Sequence, residues 1–181
     1  MAHFEELTER LRRSVVQVAP GGSGVIWDAL GGIVTNAHVA TGARAEVVDA
    51  SGRRYVARVL WRDRERDLAL LHAGAVVYPP AAEIGDSDSL HAGQLVLALG
   101  NPLGLTGAVT AGVIHTVGPV GRREWIQADV RLAPGNSGGM LADVSGRVIG
   151  ITTMIWNGLG LAVPSNEVNA FVRGVYLKKT A

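Results

Sequence analysis

The sequence contains no cysteine, so it can form neither a disulfide framework nor a thiolate metal site. An excess of charge is also lacking, since the formal net charge is +1 and the arginines occur as scattered pairs. We therefore expect no nucleic-acid partner. No apolar run reaches the roughly 18 residues of a membrane span. Residues 1–13 are too charged for a signal peptide, so we expect neither a membrane span nor an export signal in this chain.

Glycine, by contrast, is abundant, with 24 glycines among 181 residues. Glycine concentrates in turns that need a positive φ and where two backbone segments approach closely. Apolar residues make up 48% of the chain and charged residues 18%, which is typical of an ordered globular protein. The composition therefore favours a folded, turn-rich β protein.

Short aliphatic and β-branched stretches recur between glycine, proline and aspartate residues, which predicts strands. About six strands precede Tyr78-Pro79-Pro80 and about six follow it, so among all-β barrels and sandwiches we predict two six-stranded antiparallel β-barrels with a C-terminal helix. The predicted strands are 15–18, 24–27, 33–35, 45–48, 55–61, 68–71, 94–99, 108–110, 113–117, 125–128, 148–152 and 159–163.

The same pattern predicts the division of the chain. Ser165 after Pro164 is a suitable N-cap, and apolar residues at helical spacing follow it to a basic end, which predicts the terminal helix. Phe4, Leu7 and Leu11 predict a weaker amphipathic helix at the start, packed on the body or on another subunit. The predicted units are an N-terminal helical segment 1–13, a first barrel 14–75, a linker 76–92, a second barrel 93–164 and the helix 165–181.

Three local contexts supply the groups of a nucleophilic triad. His38 follows an apolar strand, Asp67 opens another, and Ser137 lies within Gly135-Asn136-Ser137-Gly138-Gly139. A serine hydroxyl attacks a peptide carbonyl well only when an imidazole accepts its proton and a carboxylate orients that imidazole. We therefore predict Ser137 as nucleophile, His38 as general base and Asp67 as the orienting acid.

The order of these residues separates this interpretation from two others. The segment around Ser137 also matches the Gly-x-Ser-x-Gly elbow of α/β-hydrolases. That fold needs its histidine after its serine, whereas all five histidines here precede Ser137. The subtilisin order, Asp then His then Ser, would need a larger α/β chain.

Attack by serine creates an oxyanion that needs backbone N–H donors, and glycines let them approach. The predicted oxyanion hole is Gly135, Asn136 and Ser137. For Arg131 two interpretations stay open: it points to solvent or pairs with Asp129, or it reaches the pocket and favours acidic residues before the cleaved bond. The predicted substrate pocket is formed by Arg131, Leu132, Thr153, Met154, Ile155 and Trp156.

Metal and cofactor chemistry are not expected. The remaining histidines show no metal-ligand spacing, and we read them as surface or core groups. These histidines are His3, His72, His91 and His115. The predicted reaction needs none of them.

Seven short blocks occur in a fixed order between about residues 14 and 172. They are Gly22-Ser23-Gly24-Val25-Ile26, Thr35-Asn36-Ala37-His38-Val39, Asp67-Leu68-Ala69-Leu70-Leu71, Gly85-Asp86-Ser87, Gly100-Asn101-Pro102-Leu103-Gly104, Pro134-Gly135-Asn136-Ser137-Gly138-Gly139 and Leu159-Gly160-Leu161-Ala162-Val163-Pro164-Ser165-Asn166. Together they resemble the HtrA (Deg) family of serine proteases. The resemblance implies a two-barrel chymotrypsin-like fold, cleavage of unfolded or damaged polypeptides without ATP, small or medium aliphatic residues before the cut, and a homotrimer.

Some features depart from that family's pattern. After the terminal helix no residues are left for a PDZ domain, so we expect none, and Arg131 and Met140 stand where the family usually has a small residue and proline. Asn136 replaces the aspartate that pairs with a new N-terminus in digestive relatives, so we expect activity without N-terminal cleavage. The family implies an extracytoplasmic place if an export signal was trimmed, and Met1 as the native start implies the cytoplasm.

A rival function from another class also stays open. The chain could be a peptide-binding protein or holdase with a protease fold whose triad is misaligned, because inactive resting states occur in the family that the blocks resemble.

Overall fold

The computed structural model describes residues 2–74, 80–101 and 107–180, so the predicted start of the linker, 76–79, and Pro102 to Gly104 of one block lie outside the described residues. The elements are α1 Ala2–Arg12, β1 Val15–Val18, β2 Gly22–Ile26, β3 Gly32–Thr35, β4 Arg44–Val48, β5 Arg54–Asp63, β6 Leu68–His72, β7 Leu95–Gly100, β8 Ala108–Val120, β9 Arg123–Asp129, β10 Met140–Asp143, β11 Val148–Trp156, β12 Leu159–Pro164 and α2 Ser165–Thr180. A 3₁₀ turn covers Ser87–Ser89.

The strands form two closed barrels, one in the order β1-β2-β3-β6-β5-β4 and one in the order β10-β11-β12-β9-β8-β7. The strand pairs of both barrels are antiparallel, for example β3 with β6 and β11 with β12. The predicted fold class, two six-stranded antiparallel barrels with a C-terminal helix, is confirmed.

The buried apolar side chains of the described residues form three clusters, one inside each barrel and one shared between the barrels. Strand β6 shows how the sequence supplies two of them. Leu68 and Leu70 face the shared cluster, whereas Ala69 and Leu71 face the interior of the first barrel. Successive side chains of a strand point to opposite faces, and both faces of β6 are buried. The strand therefore appears in the sequence as a continuous apolar run.

The second barrel differs from the prediction in two strands. Residues 108–110 and 113–117 were predicted as separate strands, yet β8 runs unbroken through them. Gly112 interrupts the β-branched pattern because a Cβ there would lie 1.8 Å from the backbone oxygen of Asp129. Strand β10 is not among the predicted strands, since it is only four residues long and directly follows the glycines around Ser137.

Helix α2 follows the second barrel in sequence and is hydrogen bonded to the first. Asn169 accepts a hydrogen bond of 2.9 Å from the indole N–H of Trp27. The Tyr176 hydroxyl donates to Asp28 at 2.7 Å, and burial together with that carboxylate raises the pKa of Tyr176. The helix therefore holds the two barrels together.

The start of α2 explains one of the sequence blocks. The buried Ser165 begins the helix as predicted, and its hydroxyl donates to the Gly85 carbonyl at 2.7 Å. The Asn166 side chain donates to Asp86 at 2.7 Å, and its N–H donates to the Ser87 hydroxyl at 3.0 Å. The Gly85-Asp86-Ser87 block thus fixes the helix start and has a structural role.

Helix α1 packs on the body of the molecule. Leu11 is buried in the shared cluster, and Leu7 contacts the same cluster. Arg10 donates to the backbone oxygen of Ser145 at 2.7 Å, so the helix also contacts the turn between β10 and β11. No helix in the described part of the chain combines the length and apolarity that crossing a membrane requires.

Candidate active site

Two of the predicted residues form one hydrogen-bonded unit. Asp67 lies directly before β6, and His38 lies on the turn that follows β3. Oδ2 of Asp67 is 2.7 Å from Nδ1 of His38, and Oδ1 accepts the backbone N–H of His38 at 3.0 Å. The carboxylate therefore binds both the ring and the backbone of His38. That side chain is 51% exposed, against 17% for Asp67, so the imidazole can meet a substrate.

The backbone of Asp67 adopts a conformation that aspartate seldom takes. Its φ is +52°, in the left-handed region, which costs on the order of 1 to 3 kcal/mol and needs support from its surroundings. The buried Asn36 supplies one such support, because its amide donates to the Asp67 carbonyl at 2.9 Å. The same amide donates to Thr153 Oγ1 at 3.1 Å and so contacts the second barrel. The sequence analysis did not single out Asn36 as a site residue. The feature of the sequence that points to it is its position two residues before His38.

Ser137 lies on a loop that is bonded to the first barrel. Pro134 and Gly135 occupy the centre of a turn closed by a hydrogen bond of 3.0 Å from Asn136 N–H to the Ala133 carbonyl. Gly135 has φ of +101°, which a type II turn requires at this position. Ser23 on β2 donates its hydroxyl to the Gly135 carbonyl at 2.6 Å and its N–H to the Ser137 carbonyl at 2.8 Å. These contacts fix the loop.

The three residues of the predicted oxyanion hole differ in what their N–H groups do. The N–H of Asn136 is engaged inside the turn, so it is not available to an oxyanion. Within the described residues, no hydrogen bond from the N–H of Gly135 or of Ser137 is found. Those two donors remain for a developing negative charge.

The Ser137 hydroxyl donates to the backbone oxygen of Thr153 at 2.9 Å, and not to His38. Both Ser137 and His38 nevertheless line one cavity of about 350 Å³. The hydroxyl therefore rests on a backbone acceptor beside the imidazole. A serine–histidine contact therefore requires the hydroxyl to leave the Thr153 carbonyl.

Four of the six predicted pocket residues line that cavity and two do not. Leu132, Thr153, Met154 and Ile155 contribute to its wall, together with Ala133, Pro134 and Asn136. Arg131 is exposed, and in the part of the chain that the structure describes no ion pair joins it to Asp129.

For the other outlying residue, Trp156, the reason is its position. It pairs with Leu159 at the tip of the β11–β12 hairpin, beyond the cavity. The expectation that Arg131 and Trp156 form the pocket wall is therefore not met by this cavity. Across residues 2–74, 80–101 and 107–180, no group of three or more histidine, aspartate or glutamate side chains is arranged to hold a metal ion.

Comparison with known proteins identifies the family. The model of the trypsin-like peptidase domain matches residues 22–151, a segment that contains His38, Asp67 and Ser137. The chain belongs to this family. Its relatives are HtrA-type proteases, as the sequence blocks indicated. Among them, the periplasmic serine endoprotease DegP of Salmonella typhimurium is 39% identical over 160 residues. The serine protease HTRA4 of Mus musculus is 40% identical over 161 residues, and the Do-like HtrA of Lactobacillus helveticus is 38% identical over 178.

These matches cover 81%, 83% and 87% of this chain, which spans only 34%, 33% and 43% of those relatives, respectively. Solved structures agree with the fold. The HtrA-type protease AlgW with a decapeptide superposes with a TM-score of 0.89 at 28% identity, over 96% of this chain and 67% of that one. AlgW with a tripeptide gives 0.89 at 32% identity, over 95% and 63% of the two chains.

Proposed function

We propose that the chain is a serine endopeptidase in which Ser137 is the nucleophile, His38 the general base and Asp67 its orienting acid. The observation that carries the proposal is the double contact of Asp67 with His38, at 2.7 Å and 3.0 Å, beside a cavity that Ser137 also lines. A carboxylate that binds Nδ1 leaves Nε2 of the same ring to accept a proton from serine.

The reaction follows from this geometry. The Ser137 hydroxyl leaves the Thr153 carbonyl and turns to His38, whose Nε2 takes its proton as Oγ attacks the peptide carbonyl. The resulting oxyanion binds the N–H groups of Gly135 and Ser137. His38 then gives the proton to the leaving amine, which departs and leaves an acyl ester on Ser137. Water, deprotonated by the same imidazole, attacks the ester, and the imidazole returns that proton to Ser137 Oγ as the acid leaves.

The proposed substrates are unfolded or damaged polypeptides with an aliphatic residue before the cleaved bond. Leu132, Met154 and Ile155 give the cavity an apolar wall, which favours an aliphatic side chain. Assembly as a homotrimer is a further part of the proposal, supported by the resemblance to HtrA proteases alone.

One observation favours the rival function, a peptide-binding protein or holdase with an inactive site. The Ser137 hydroxyl donates to Thr153 O at 2.9 Å and makes no hydrogen bond to His38 among the described residues. If that arrangement persisted with substrate bound, the serine would not be activated. A probe of nucleophile reactivity separates the two functions.

We expect a fluorophosphonate to label the protein at Ser137 at neutral or mildly alkaline pH, because only an activated serine reacts quickly. Ser137→Ala should abolish labelling and lower casein hydrolysis by about 10⁶-fold, and His38→Ala should have a similar effect. The matched control is Ser145→Ala, which removes an exposed serine from the β10–β11 turn and should change neither readout. Absence of labelling in the folded wild-type protein would favour the peptide-binding function.

A further inference from the structure

Arg123, the first residue of β9, joins the second barrel to the loop that carries Asp67. Its Nη2 donates a hydrogen bond of 2.8 Å to the backbone oxygen of Arg66 on the first barrel. The two residues are 57 positions apart in sequence, so the contact depends on how the barrels pack. The bonded carbonyl belongs to the peptide group that precedes Asp67.

The guanidinium of Arg123 is held firmly in this place. It stacks on the Trp125 ring with 4.3 Å between Cζ and the ring centroid, and its side chain is only 21% exposed. Nη2 also lies 3.9 Å from Oε1 of Glu167 on α2. Nε is buried and has no hydrogen-bond partner in the described part of the chain. Because Nε makes no hydrogen bond there, the Arg123 side chain is fixed through its outer nitrogens and through the stacking on Trp125. Leaving a buried N–H unbonded costs free energy.

Arg66 itself is fixed from several directions, which makes its carbonyl a firm acceptor. Its guanidinium binds Asp63 at 2.6 Å, its N–H donates to the same carboxylate at 2.9 Å, and Nε lies 3.5 Å from Glu167. Arg66 is therefore held by residues of the first barrel and α2, and its carbonyl, in the peptide before Asp67, is bound by Arg123 of the second barrel.

This peptide plane controls the direction of the Asp67 side chain. The φ angle is the rotation about the N–Cα bond of Asp67, and it sets the direction of the side chain relative to this plane. Its value of +52° is unfavourable. The following carbonyl, that of Asp67, accepts from Asn36 at 2.9 Å. Each peptide group that flanks the Asp67 Cα is thus bound by one side chain, Arg123 on one side and Asn36 on the other. With both planes bound, the carboxylate stays directed at His38.

We propose that Arg123 is a positioning residue for peptide hydrolysis, which acts by holding the Arg66–Asp67 peptide and thereby the carboxylate that orients His38. The inference rests on the proposed function, because it assumes that Asp67 serves the reaction. Arg123 itself touches neither Ser137 nor His38, so its effect on the reaction passes through Asp67.

The test is a double-mutant cycle on the full chain, with a peptide substrate and an activated ester. Arg123→Met keeps the length and the apolar contact with Trp125 and removes the donors. We expect kcat to fall about 10- to 100-fold with KM within about twofold, because small displacements of catalytic groups cost rates of this order. Arg123→Lys, which keeps one donor, should recover part of the loss. Arg122→Met, which changes the exposed neighbour, is the matched control and should keep the wild-type kcat.

The second arm repeats Arg123→Met in an Asp67→Asn background. If Arg123 acts through Asp67, the second substitution should lower the residual kcat less than about twofold. The same loss of kcat in both backgrounds would overturn the inference. It would also be overturned if Arg123→Met lowered the Tm, measured by circular dichroism, and left kcat per folded molecule unchanged. An Asp67→Asn variant with wild-type kcat would instead refute the proposed function, so the two failures are distinguishable.

Discussion

The two barrels contribute unequal halves of the candidate site. The first barrel holds Asp67 and His38 in two direct hydrogen bonds of 2.7 Å and 3.0 Å, and Asn36 supports the strained aspartate. The backbone around Ser137 is fixed by Thr152 of the second barrel and by Ser23 of the first, but its hydroxyl lies on the Thr153 carbonyl. Breaking one neutral hydrogen bond costs about 1 kcal/mol, and a side-chain rotation takes picoseconds to nanoseconds. The comparison indicates a preset acid–base pair and a nucleophile that must first leave the Thr153 carbonyl.

Among the substitutions compared below, the largest expected effect comes from breaking the preset acid–base pair. Asp67→Asn keeps the size of the side chain but replaces an acceptor of the imidazole N–H by an amide. We expect kcat for peptide hydrolysis to fall on the order of 10⁴-fold, because the ring is then held in the wrong tautomer. Asp129→Asn changes an exposed acid of the second barrel and should leave kcat unchanged. Retention of near-native kcat by Asp67→Asn would show that this half is not used in the reaction.

The next effect tests the other half. Gly135→Ala places a Cβ at a residue with φ of +101°, so the turn must change and its N–H must move away from the oxyanion position. We expect kcat to fall about 10²- to 10³-fold, the usual loss of one oxyanion donor. Gly121→Ala is the matched control: its φ is +65° in the β8–β9 hairpin, with open space around it. It should lower Tm slightly and leave kcat intact, and equal losses of kcat in both variants would contradict the assignment.

The smallest effect concerns the support behind the acid–base half. Burial raises the pKa of Asp63, but hydrogen bonds from the backbone and side chain of Arg66 outweigh it, so the pKa lies below its ordinary value of 3.8. A lowered pKa means that the folded state binds fewer protons than the unfolded state. The stabilisation is therefore fully present above the ordinary value of 3.8 and is lost as the pH falls through the folded pKa.

We therefore expect Asp63→Asn to lower Tm by about 1 to 3 °C at pH 6, with the difference from wild type shrinking as the pH falls below about 4. Scanning calorimetry at pH 6 and at several pH values below about 4 measures this difference. Asp88→Asn, which alters an exposed acid of the 3₁₀ turn, is the control and should show the wild-type pH dependence. A difference that grows towards low pH would reverse the sign and refute the argument.

The sequence allowed the fold to be predicted because strands such as β6 carry their burial in a local apolar pattern. The prediction failed at β8. Gly112 is needed there because the backbone of Asp129 lies too close for a side chain, and this contact is visible only once the strands are paired. The residues of the proposed triad lie in local contexts that can be read one at a time. Arg123, in contrast, appeared as one of several scattered arginine pairs, and its contact with Arg66 arises only when the two barrels pack. Nothing in the local sequence indicates the hydrogen bond from Ser137 to the Thr153 carbonyl either.

The hydrogen bonds that attach α2 to the first barrel have a consequence for synthesis on the ribosome. All three residues of the proposed triad have been translated by position 137, yet Asn169 and Tyr176 have not. A nascent chain at that stage lacks the bonds of α2 to Trp27 and Asp28, and strands β10, β11 and β12 of the second barrel as well. We expect proteolytic competence to be acquired only late in translation, which would protect neighbouring nascent polypeptides from premature cleavage.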